Sequence, residues 1–149
     1  YYQQIELGFN YRMTDIQAAL GLAQLQKIQK FLQRRRYLAK RYNEKLKDLP
    51  VILPYQHPET ESAWHLYVIQ VEAARRREIF EHLRAEGILV NVHYIPVHTQ
   101  PYYKKLGFKT GDFPEAEQYY RGAITLPLHY GLSDKEQDYV IERLQEIIR

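Results

Sequence analysis

The pattern that most constrains this chain is a helical one near its start. Ile16, Ala19, Leu20, Ala23, Ile28, Phe31, Leu32, Leu38, Tyr42 and Leu46 recur mostly three or four residues apart, the spacing of one helix face. Thr14 and Gln17 match a capping box, S/T-x-x-E/Q, so the helix is predicted to begin at Asp15. The run "DLP" at 48–50 ends it near Lys47. One helix over residues 15–47 is long for a small domain. Such an element bridges two parts of a protein or carries a subunit contact. Gly21 lies inside it at a cost of about 1 kcal/mol against alanine. Close packing of another backbone on that face would offset the cost.

Downstream the period changes. "VILPY" (51–55), "WHLYVIQV" (64–71) and "ILVNVHY" (88–94) are rich in β-branched and aromatic residues and read as strands. Between the last two, "RRREIFEHLRAEG" (75–87) reads as an amphipathic helix with Ile79, Phe80 and Leu83 inward and Gly87 ending it. Strand, helix, strand is a βαβ-like order. Pro96, Pro101, Gly107, Gly111 and Pro114 break up the next stretch. A short helix over 115–121 follows, then the extended run "AITLPLHYGLS". Ser133 and Glu136 repeat the capping box ahead of a terminal helix marked by Val140, Ile141 and Leu144. The fold class is α+β, with a small sheet covered by helices and a long N-terminal helix.

The totals narrow the function. A chain of 149 residues suits one domain or part of a larger protein, and 45% hydrophobic with 26% charged residues is a globular balance. With no cysteine, disulfides, thiolate nucleophiles and Cys-bound zinc are excluded. The net charge of +3 is concentrated at Arg34–Arg36 with Lys40 and Arg41, and at Arg75–Arg77. These runs share helical patterns with glutamate and glutamine and read as solvated faces, with anion binding the competing reading. No nucleic-acid partner is expected. No apolar run approaches the roughly 20 residues that span a membrane, and the start "YYQQIE" lacks the pattern of a signal peptide. A cytoplasmic protein is expected. The opening on Tyr1 and the single methionine, Met13, read as a fragment whose earlier part is missing.

Residues suited to chemistry cluster in "NVHYIPVHTQPYY" (91–103), at a strand end and the loop beyond it. Loops there present polar groups from a rigid sheet. Tyrosine and histidine, flat with polar tips, suit a sugar or a base. The same tyrosines can equally pack the edge of a core. The six histidines show no metal-ligand spacing, and no metal is expected. There is no Gly-rich phosphate loop and no G-x-S-x-G elbow. No complete catalytic set can be assigned from these residues.

"LGFNYRMTDIQAALGLAQL" (7–25) followed by "RRRYLAKRYNEKL" (34–46) resembles the segment after the cofactor-lysine region of DegT/StrS-type aminotransferases. "HLYVIQV", "VNVHYIPVHTQPYYKKLGF" and "AEQYYRGAITLPLHYGLSDKEQDYVIERL" agree in the same order, over almost the whole chain. These are fold-type I, pyridoxal phosphate (PLP) enzymes that aminate keto groups on nucleotide-linked sugars. The wording "HYIPVH" is most similar to the branch acting on UDP-linked 4-keto-6-deoxy-N-acetyl sugars in pseudaminic acid synthesis. The resemblance implies a C-terminal small domain over 15–149, preceded by an active-site and subunit-border segment over 1–14. It implies a homodimer with glutamate as amino donor and a nucleotide sugar as acceptor. In G-x-N-x-R, Asn10 would bind the PLP phosphate of the neighbouring subunit, with Arg12 supporting the same anionic site. His93 and Tyr94 would approach the nucleotide-sugar substrate, with His98 on the same wall.

The resemblance also implies what is missing. The family's Schiff-base lysine lies upstream of G-x-N, in a large PLP-binding domain that this sequence lacks. None of its nine lysines matches that motif, so no catalytic residue is assigned within the chain, which is expected to be inactive alone. Two alternatives stay open. One is a non-catalytic binding or dimerisation module. The other is a sugar dehydratase-like relative with histidine in place of the lysine.

Overall fold

The computed structural model describes residues 3–148. Tyr1, Tyr2 and Arg149 lie outside the described residues, including the first two positions of the expected 1–14 segment. Six helices and two strands follow one another: α1 (Asp15–Leu25), α2 (Ile28–Leu46), β1 (Tyr67–Gln70), α3 (Arg76–Ala85), α4 (Pro101–Lys105), α5 (Pro114–Gly122), β2 (Ala123–Leu126) and α6 (Asp134–Ile148). A 3-10 turn covers Val97–Thr99. None of these helices is long and apolar enough to cross a membrane.

The expected helix over 15–47 is two helices. At Lys27 the backbone N–H bonds to the Gln24 carbonyl (3.0 Å), three residues back, and helical bonding resumes as Phe31 donates to Lys27 (3.1 Å). The tight turn ends α1, and α2 starts without a side-chain cap. Both capping boxes form as expected. Thr14 and Gln17 exchange bonds at the start of α1, and Ser133 and Glu136 at the start of α6.

The two helices differ in burial. α2 buries Leu38, Ala39, Tyr42 and Leu46 on one stripe. α1 buries nothing. The apolar periodicity of 16–25 predicts packing, yet within this chain Ile16 is 83% exposed and a Cβ placed on Gly21 would meet no atom within 4 Å beyond its own stretch of helix. Periodicity records that a face wants cover, not which chain supplies it. The same holds for Ile5, Leu7, Phe9 and Tyr11 upstream.

Of the three strands expected from sequence, only the central part of 64–71 is a regular strand. β1 pairs antiparallel with β2 in the register Tyr67↔Leu126, Val68↔Thr125, Ile69↔Ile124, Gln70↔Ala123. The other two segments each supply a single bridge: Ile52↔Gln70 on the outer side of β1, and Asn91↔Thr125 on the outer side of β2. Their β-branched residues met the propensity for a strand, but each finds only one pairing position. The βαβ-like order survives in split form. β1 and the segment at Asn91 are both antiparallel to β2, which lies between them.

In β1, Tyr67 and Ile69 are buried while Val68 and Gln70 are half-buried, the alternation of a sheet with one core face. β2, flanked on both sides, is buried throughout. The core joins Leu38, Tyr42, Tyr67, Ile69, Leu83, Ile124, Leu126 and Leu144. Tyr42 stacks on Tyr67 at 4.8 Å between ring centres, and its hydroxyl donates to the Pro127 carbonyl (2.9 Å). Burial pushes both phenol groups well above their ordinary pKa.

In the basic run on α2, Lys40 is solvated as expected, but Arg34, Arg35 and Arg41 are not. Arg35 Nη1 donates to the carbonyls of Trp64 (2.9 Å), His65 (3.2 Å) and Leu128 (3.1 Å). Arg34 bonds the Leu132 carbonyl and pairs with Asp134 (2.8 Å). Arg41 forks onto both Asp138 oxygens at 2.5 Å. These guanidiniums join α2 to the strand-end loops and to α6. Tyr37, with Arg34 beside it, holds the Asp134 carboxyl below its ordinary range.

Candidate functional site

Two clusters hold four of the five site residues singled out from sequence, and His98 stands apart from both. The first is the extended segment before α1. Asn10 has a positive φ of 54°, a region that asparagine tolerates better than most residues because its short amide bonds locally. Here that bond is to Arg12, whose Nε donates to Asn10 Oδ1 (3.1 Å). With Oδ1 engaged by Arg12, the Asn10 amide N–H2 and the Arg12 Nη groups remain as donors on an exposed segment. An amide donor beside a fixed guanidinium suits a phosphate or carboxylate. The donor set therefore fits the phosphate of a cofactor.

The second cluster sits at the sheet edge beside β2. Asn91 and Thr125 exchange both backbone hydrogen bonds, Asn91 N–H to Thr125 (3.2 Å) and Thr125 N–H to Asn91 (2.8 Å). Their side chains therefore share a face, and so does that of His93 two residues on. His93 Nδ1 meets Thr125 Oγ1 (2.9 Å) and Nε2 meets Asn91 Nδ2 (3.3 Å). The ring packs edge-on against Tyr94, 4.6 Å between centres, across a cis peptide bond. Tyr94 is 72% exposed.

His98 is placed differently. It is 7% exposed, with Nε2 on Glu117 Oε1 (2.9 Å) and its ring against Phe113 (4.9 Å). The same Glu117 oxygen accepts the Gly111 N–H (2.6 Å). The His98 bond first, and the Gly111 N–H second, hold the Glu117 carboxyl below its ordinary range. His98 thus closes the 96–113 excursion onto α5. It also lines an apolar cavity of ≈ 380 Å³ with Pro96, Val97, Tyr103, Phe108 and Phe113.

Among the described residues, no hydrogen bond or ion pair joins Asn10 and Arg12 to the cluster of His93 and Tyr94. A larger groove of ≈ 680 Å³, between the exit of α3 and α6, holds none of the residues singled out. No three His, Asp or Glu gather as they would around a metal ion among the described residues. Every lysine is exposed. Sequence reasoning missed Thr125 and Glu117. Thr125 left one trace, as the sole hydroxyl in the apolar strand "AITL". Glu117 left none, because its partners lie 6 and 19 residues away in a loop without periodicity.

The sequence model of the family described as DegT/DnrJ/EryC1/StrS aminotransferases matches residues 1–145. The spore coat polysaccharide biosynthesis protein SpsC of Bacillus subtilis is 40% identical over 156 residues, covering 100% of this chain and 40% of SpsC. Spr1654 of Streptococcus pneumoniae, described as a candidate sugar aminotransferase and solved in apo, PMP and PLP forms, superposes at a TM-score of 0.86 with 40% identity. That match covers 91% of this chain and 35% of the apo Spr1654 chain. Helicobacter pylori PseC, an aminotransferase of pseudaminic acid biosynthesis, superposes at 0.88 with 31% identity, covering 98% of this chain and 40% of PseC. The chain spans about two fifths of the length of the curated relatives it matches.

Proposed function

The chain belongs to the DegT/DnrJ/EryC1/StrS aminotransferase family, and on that premise we propose that it is the C-terminal part of a PLP-dependent sugar aminotransferase. The acceptor in this reading is the keto group of a nucleotide-linked deoxysugar, and glutamate is the amino donor. The solved PLP and PMP forms of Spr1654 and the sugar pathways of PseC and SpsC support it. PLP, when bound, carries the amino group between donor and acceptor.

The observation that carries the reading is the Asn10–Arg12 pair. It is preorganised for an anion, and the segment bearing it is exposed throughout. Residues 1–14 are then an active-site segment at a subunit border, and 15–149 the small domain. Asn10 and Arg12 hold the cofactor phosphate of a neighbouring subunit. The exposed apolar side chains of Ile5, Leu7, Phe9, Ile16 and Leu20 fit burial in a homodimer. Tyr94 forms part of the sugar wall, with His93 behind it. His98 shapes that wall from within, through Glu117. The reaction needs a buried lysine with a lowered proton affinity, and the exposed lysines here do not provide one. That group belongs to the preceding domain, and the chain by itself is inactive. A cytoplasmic location accords with the small nucleotide-linked substrate.

The test is Asn10→Ala in the full-length protein. Losing a hydrogen bond to a charged group should weaken PLP retention about tenfold or more, with little change in sugar affinity. Unchanged PLP retention would remove Asn10 from the phosphate site.

A further inference from the structure

We propose that His93 is locked as its Nδ1–H tautomer with both ring nitrogens spent inside the chain, so that it positions Tyr94 and neither hydrogen-bonds the substrate nor exchanges a proton with it. Asn91 Oδ1 accepts the Val92 backbone N–H at 2.8 Å, which fixes which way the amide faces. The amide N–H2 is thereby the group turned to His93 Nε2, at 3.3 Å. A donor aimed at Nε2 requires a bare nitrogen there, so the ring proton sits on Nδ1. Nδ1–H then donates to Thr125 Oγ1 at 2.9 Å. The opposite tautomer, or the imidazolium, would set N–H against N–H at Asn91.

The backbone makes this arrangement rigid. The Asn91↔Thr125 bridge holds both partners opposite one another on a single face. Thr125 is 6% exposed in the most enclosed strand of the sheet. What His93 offers outward is its ring, which meets Tyr94 edge-on at 4.6 Å, a favoured aromatic geometry. Tyr94 is the exposed member of the pair. The inference rests on the sugar-wall reading only for the role of Tyr94, whereas the tautomer rests on the hydrogen-bond network alone.

Two measurements on the full-length protein decide it. Long-range ¹H–¹⁵N correlation of the histidine side chains near neutral pH, with His93 assigned by its loss in His93→Gln, should show a protonated Nδ1 and a bare Nε2. In Asn91→Asp, whose second carboxylate oxygen accepts where the amide donated, Nε2 should become protonated. A protonated Nε2 in the unaltered protein overturns the proposal. The second measurement is a double-mutant cycle on kcat/KM. His93→Ala should cost about fivefold or more with Tyr94 present and less than about twofold in Tyr94→Ala, because the two act as one unit. His93→Asn, which keeps a donor near the position of Nδ1–H, should recover part of the loss without altering the pH profile. Equal costs in both backgrounds would mean that His93 acts on substrate directly and would overturn the positioning role. A Tyr94→Ala variant with full activity and an intact tautomer would refute the sugar wall while leaving the lock in place.

Discussion

His98 and Glu117 meet at 2.9 Å across 19 residues of chain, and the carboxylate oxygen they share also accepts the Gly111 N–H at 2.6 Å. One carboxylate thus gathers the 3-10 turn, the Gly111 loop and α5. That fixes the shape of the excursion that leaves the sheet edge at His93 and Tyr94.

This pairing predicts an acid-sensitive fold. The folded Glu117 carboxyl lies below its ordinary value of 4.5, so its stabilisation is fully present above that value. It is lost as pH falls through the lower folded value. Urea midpoints measured from pH 7 down to pH 3 should fall more steeply for the unaltered chain than for Glu117→Gln. Parallel curves would show that the carboxylate does not carry the contact.

The core where α2 and α6 meet the sheet predicts two graded losses. Leu144 and Tyr42 are fully buried. Leu144→Ala should cost about 2–5 kcal/mol through lost transfer energy and the cavity left behind. Tyr42→Phe keeps the stack on Tyr67 and removes the hydroxyl that donates to Pro127. Its cost should be about 1 kcal/mol. Chemical denaturation of both variants checks the order.

Gly122 predicts a steric effect at one atom. A Cβ there would stand 2.6 Å from the Val71 carbonyl oxygen, at the point where Val71 N–H donates to Gly122 (2.9 Å). Gly122→Ala must push the end of α5 from the sheet and should destabilise by about 1–3 kcal/mol. Gly131→Ala is the control, because its Cβ would meet nothing closer than 3.5 Å.

The exposure of α1 predicts uneven protection. An 11-residue helix without buried residues is marginal in water by itself. In the isolated chain, amide hydrogens of 15–25 should exchange far faster than those of 38–46 on α2. In the full-length dimer of the proposed function they should slow. Equal protection of both helices in the isolated chain would contradict the absence of packing on α1.

Local chemistry made several elements legible without any structure. Both capping boxes, the helix ended by Gly87 with its φ of 75°, and the core stripe of α2 follow from side chains and spacings within a few residues of one another. The pair Asn10 and Arg12 was singled out by the family resemblance rather than by local chemistry, and what the structure adds is the bond between them, two residues apart. The break at Lys27 was not, because apolar spacing alone carries across a turn that one i→i−3 bond is enough to make.

Everything that depends on partners far along the chain was decided by the tertiary structure. The segments 51–55 and 88–94 have strand composition, but the number of residues that pair is set by what lies beside them, and each finds one position. Arg34 and Arg35 read as solvent-facing charges until the strand-end carbonyls of Trp64, Leu128 and Leu132 come within reach. His93 and His98 look alike in "HYIPVH". Thr125 and Asn91 hold the first at the sheet edge, whereas Glu117 buries the second behind the loop. A sequence determines which local bonds are cheap to make. Only the folded chain decides which distant donor and acceptor meet, because that depends on where the sheet and helices bring them.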